Sequence, residues 1–89
     1  MGSREPDPAL VQLESVWRKR VTEAWDLYRR SVESTRGIQE THRDLPGSDG
    51  TFQWDVALRS ERLALKEYAR ILRIFTDLVV QGKIPEERD

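Results

Sequence analysis

Cysteine is absent from this chain. Neither a disulfide framework nor a thiolate zinc site can staple it, and no thiol nucleophile is available. Histidine occurs once, at His42, so a Ser-His nucleophile system has little to be built from. The five glycines form no phosphate-cradling run, which removes the P-loop. No apolar run reaches the roughly 18 to 20 residues that span a bilayer. The opening MGSREPDPAL also lacks the apolar stretch of a secretory signal, and the expected location is cytoplasmic. Charge of one sign is missing as well: 15 Lys and Arg face 16 Asp and Glu, for a formal net charge of −1. No global field therefore steers the chain toward nucleic acid or anionic membrane, and an electrostatic partner has to read a local patch.

What is present is helical periodicity. From Thr51 to Gly82 apolar residues recur three and four apart, predicting a core stripe of Trp54, Leu58, Leu65, Tyr68, Leu72, Phe75 and Val79. Ala57, Ala64, Ile71 and Leu78 flank it. An earlier series, Leu10, Leu13, Trp17, Val21, Ala24, Tyr28, Val32, Thr35, Ile38 and His42, has the same period. Asp7-Pro8 is a start signal, because the aspartate accepts from first-turn amides and the proline loses no bond there. Gly82 with Pro85 beyond it is a stop signal. The clustered Pro46, Gly47, Asp49 and Gly50 mark the turn, with Asp49 or Thr51 as the second cap. Gly37 costs about 1 kcal/mol in a helix interior, yet Ile38 and His42 keep the period beyond it.

The expectation is an all-α single domain over residues 1–89: helix 8–43, loop 44–51, helix 52–82, and mobile ends at 1–6 and 85–89. The two arms match in length and form a long antiparallel hairpin, with Tyr28 near Leu65, Val21 near Leu72 and Trp17 near Phe75. A chain of 89 residues buries only about 60 to 65% of its unfolded surface, a marginal core. With disulfides excluded, association is the expected remedy. Val56, Leu63 and Ile74 lie away from the main stripe. Burying one such side chain is worth about 1.5 to 3 kcal/mol, so these three, with Trp25 and Trp54 at the margins and Phe52 beside them, are the candidate interface. The simplest assembly is a homodimeric four-helix bundle. A separate protein partner would serve equally.

Three features could carry chemistry. Arg59, Arg62, Lys66, Arg70 and Arg73 stack as a basic ridge on the second helix, spaced for phosphates or an acidic surface. Without interleaved aromatics or excess positive charge, a solvated face is the simpler reading. Glu61 interrupts the core stripe opposite Ser31, Val32 and Thr35, and these predict a polar layer that marks register rather than a proton-handling site. His42 sits near the turn, more than two helical turns from Glu61, as a polar closing residue. No Glu-x-x-His pair exists for a bundle metal site, and no metal, cofactor or catalytic residue is assigned. The sequence therefore predicts a non-enzymatic interaction or scaffolding module. A nucleic-acid or polyanion binder is the alternative, and a small enzyme or metal protein a distant one.

Overall fold

A computed structural model describes residues 7–44 and 48–87, and the side chains of 7–40 and 52–87. Two helices, α1 (Pro8–Asp44) and α2 (Ser48–Gln81), pack against each other, and no strand occurs among the described residues. Asp7 opens α1: its Oδ1 accepts from the Ala9 N–H at 3.0 Å, and its carbonyl accepts from the Val11 N–H at 3.0 Å. Gly37 continues the helix, and a Cβ there would meet nothing within 4 Å.

α2 begins at Ser48 instead of residue 52. Serine and aspartate favour helix starts wherever they fall, and the cost of Gly50, about 1 kcal/mol, is too small to delay initiation past it. The expected caps Asp49 and Thr51, and the side chain of His42, lie outside the described side chains. Gly82 ends α2 in the left-handed region, φ 67°. Its N–H donates to the Leu78 carbonyl at 3.0 Å, and that of Lys83 to the Asp77 carbonyl at 3.3 Å. A side chain at this φ would crowd the backbone, which is why glycine terminates the helix.

The helices meet along a seven-residue repeat. In α1 the a positions are Glu14, Val21, Tyr28 and Thr35, and the d positions are Leu10, Trp17, Ala24, Ser31 and Ile38. In α2 Trp54, Glu61, Tyr68 and Phe75 take a, and Ala57, Ala64, Ile71 and Leu78 take d. Every one of these residues is buried or half-buried. Trp17 at 2% and Leu78 at 1% exposure are the most enclosed. This corrects the predicted stripe: the flanking row Ala57, Ile71 and Leu78 is the contact line, while Leu65, Leu72 and Val79 stand 45%, 37% and 47% exposed. Two helices that supercoil keep only the 3.5-residue seam in contact, so an apolar arc wider than that seam spills out on one side.

The seam is uneven along its length. Trp17, Ala24, Ile71 and Leu78 form the core, with Leu10, Leu13, Val21, Tyr68, Ile74 and Phe75 packed around it, all in the half near the chain ends. Toward the loop, Ser31, Thr35, Ala57, Glu61 and Ala64 make a small and polar layer, with half-buried Ile38 and Trp54 beyond it. The Thr35 hydroxyl, on a residue only 6% exposed, donates to the Ser31 carbonyl at 2.9 Å and lies 3.4 Å from the Ala57 carbonyl on the other helix.

The result is a rod of 70 × 19 × 18 Å, with a radius of gyration of 19.0 Å. A compact chain of this length would have about 12 Å. The exposed area is 7455 Å², whereas a compact monomer of this mass exposes about 5400 Å².

Candidate docking surface

The spill-over has an ordered form. Leu58, Leu65, Leu72 and Val79 occupy successive e positions of α2, seven residues apart. The matching e positions of α1 carry Val11, Arg18, Trp25, Val32 and Gln39. In an antiparallel pair the e edges of both helices flank the same side of the seam, so these residues form one face. Trp25 ties the edges together: its ring lies 5.3 Å from that of Tyr68 on α2 and 6.0 Å from that of Tyr28, yet the residue is 47% exposed. Arg18 lies over the Phe75 ring, its guanidinium carbon 5.8 Å from the centroid. A shallow hollow beside Trp25, lined by Tyr28, Arg29, Val32, Glu33 and Arg36, continues the face toward the loop.

The opposite side of the seam is covered in the half near the chain ends. There Arg20 covers the Trp17 ring at 4.1 Å. The segment after Gly82 folds back, bringing Ile84, Pro85 and Glu87 alongside Ile74 and Asp77 around a hollow of about 250 Å³. Arg70 holds it, pairing with both Glu87 and Glu67; its Nε donates to Glu67 Oε2 at 3.0 Å. These hydrogen bonds keep the Glu67 carboxyl below the usual range and push the Arg70 guanidinium up. Pro85 is half-buried there, while Glu86 and Glu87 remain exposed. The segment returns because Glu87 finds a cation and Pro85 reaches apolar surface.

The predicted site residues fall differently within this frame. Trp25 sits on the open face, while Trp54 is half-buried at an a position of the seam. Val56 and Leu63, 49% and 63% exposed, share the far edge of α2. Ile74, expected beside them, is half-buried against the core and the returning tail. Phe52 is 71% exposed near the start of α2. Ser31, Thr35 and Glu61 do share the seam, and the hydrogen bonds described there come from Thr35 and Ser31, whose hydroxyl donates to the Tyr28 carbonyl at 2.7 Å.

The basic ridge separates into two parts. Arg70 is turned toward Glu67 and Glu87. Arg59, Arg62, Lys66 and Arg73 pair with no carboxylate among the described residues. Their b and f positions border the open e row. On α1 the pattern is reversed: Lys19 pairs with Glu23 at 4.0 Å, Arg29 with Asp26 at 2.8 Å and Glu33 at 3.0 Å, and Arg30 with Asp26 at 2.8 Å. The Arg29 hydrogen bond lowers the Asp26 pKa.

Sequence reasoning missed the open face because it placed Leu58, Leu65, Leu72 and Val79 in the core. Their seven-residue spacing was the available signal. No helix is long and apolar enough to cross a membrane among the described residues. No family model matches the chain, and neither the curated proteins nor the solved structures contain a significant match to it.

Proposed function

We propose that the chain is a non-enzymatic protein–protein interaction module that completes its core against helices outside the hairpin. The observation that carries this reading is the e row of α2, an apolar line four heptad positions long that the partner helix of the hairpin leaves half in water. Isolated exposed apolar residues need no explanation, but a continuous line of them marks an association surface. The excess of exposed area over a compact monomer, about 2000 Å², is more than the roughly 800 Å² that one partner contributes to a standard interface.

Docking here follows the helix-in-groove mode, in which residues three, four and seven apart anchor an added helix. A second copy would supply two helices and make a homodimeric four-helix bundle, the assembly expected from the sequence. Sedimentation of the isolated chain, with and without Leu65→Glu and Leu72→Glu, tests self-association through this face. A concentration-dependent mass that the double substitution abolishes assigns the face to a second copy. A mass that rises only on adding a leucine-rich helical peptide assigns it to a helix of another chain, and a mass that does neither removes the interaction reading. The alternative, a polyanion binder, draws on the four cations that pair with no carboxylate among the described residues. It requires binding to duplex DNA at low salt that falls steeply as salt rises.

A further inference from the structure

Resting on the interaction reading, we infer that the open face receives an acidic amphipathic helix of a separate protein, not a second copy of this chain. The argument is charge complementarity. The apolar line of Leu58, Leu65, Leu72 and Val79, joined by Trp25 and Val32 of α1, is bordered on α2 by Arg59, Arg62, Lys66 and Arg73. Asp55 is the one acid on that border among the described residues. The cations of α1 with carboxylates beside them, Lys19, Arg29 and Arg30, are neutralised within their own helix. The border cations have no carboxylate beside them among the described residues, so unmatched positive charge on α2 lies against the unmatched apolar surface. A helix with apolar a and d residues and acidic flanks satisfies both at once, its leucines entering the e row while its carboxylates meet the border.

A second copy fits this face poorly. A two-fold axis lying between two such faces sets α2 against either α2 or α1 of the other copy. The first arrangement opposes the border cations to themselves. The second opposes them to the α1 edge, where Arg18 and Arg36 stand. Of the outer acids of α1, Glu23, Asp26 and Glu33 are already engaged by Lys19, Arg29 and Arg30, which leaves Glu40 as the one open acid of that edge among the described residues against four border cations. Like charges facing each other suppress that pairing.

The test uses the full chain and two designed peptides of about four heptads, each with leucine at a and d. One carries glutamate at its flanking positions and the other lysine, so each repels itself and stays single. Titration at low salt, followed by tryptophan fluorescence, is expected to favour the glutamate peptide by about tenfold or more, the sum of several exposed pairs of modest strength. Added salt should narrow the gap. Leu65→Glu with Leu72→Glu should remove binding of both peptides. Arg62→Glu with Lys66→Glu, which leaves the apolar row intact, should shift the preference toward the lysine peptide.

Equal binding of the two peptides, or binding of neither, overturns the proposal. If the chain instead dimerises through Leu65 and Leu72, the occupant is wrong while the interaction reading stands. If it dimerises unaffected by those substitutions and binds neither peptide, the face itself is wrong. Binding to duplex DNA that survives the leucine substitutions assigns the cations to phosphate and overturns both readings.

Discussion

Truncating two leucines of α2 to alanine separates the seam from the open face. Leu78 is 1% exposed at a d position, whereas Leu65 is 45% exposed at an e position. Leu78→Ala loses a fully buried side chain and leaves a cavity between the helices, a combination that costs about 3 to 4 kcal/mol. Leu65→Ala gives up roughly half of a burial worth about 1.5 to 3 kcal/mol and opens no enclosed space, so the loss is about 1 kcal/mol. Against a total stability on the order of 4 to 13 kcal/mol for a domain of this length, the first change is severe and the second mild. Urea denaturation followed by circular dichroism reads both, as a shift in midpoint at unchanged slope. Equal losses, or a larger loss at Leu65 in the monomeric chain, would refute the heptad seam and restore the stripe that runs through Leu58, Leu65 and Leu72.

Other outcomes follow from the same geometry. Gly37→Ala should raise stability by about 0.5 to 1 kcal/mol, since the helix continues through it into open space. Gly82→Ala should lower stability by about 1 kcal/mol because φ there is 67°; thermal melts of the two variants should shift in opposite directions. Hydrogen exchange should be faster in residues 52–60, beside the small and polar layer, than in residues 68–78 at the apolar core. Acid should also weaken the fold. Asp26 and Glu67 have pKa values lowered from 3.8 and 4.5, so the stability from their pairs is present above those values and lost as pH falls through the lowered ones. Both groups are exposed, and the melting temperature should hold between about pH 8 and 5 and decline modestly below about pH 4.

The hairpin was legible in the sequence because its signals are local. Asp7-Pro8 starts a helix, Gly82 stops one, and apolar spacing of three and four survives across Gly37. What periodicity alone could not decide was which edge of a wide apolar arc is the seam. A window of 3.6 residues per turn places Ile71 and Leu72 at the two edges of one wide apolar arc, while contact between two supercoiled helices selects the strict seven-residue line through Ile71 and Leu78. The returning tail was hidden for another reason. Its pairing of Glu87 with Arg70 joins residues 17 apart, a relation that no local pattern encodes. Once that tail takes Arg70 out of the basic ridge and covers Ile74, the remaining cations and the remaining apolar row lie side by side.

Sedimentation equilibrium of the chain, alone and mixed with the glutamate-flanked peptide, tests that juxtaposition most directly. The expected result is 10.4 kDa for the chain alone, rising by one peptide mass in the mixture and lost again with Leu65→Glu and Leu72→Glu. A stable species of twice the chain mass that those substitutions dissolve, and that takes up no acidic peptide, would contradict it.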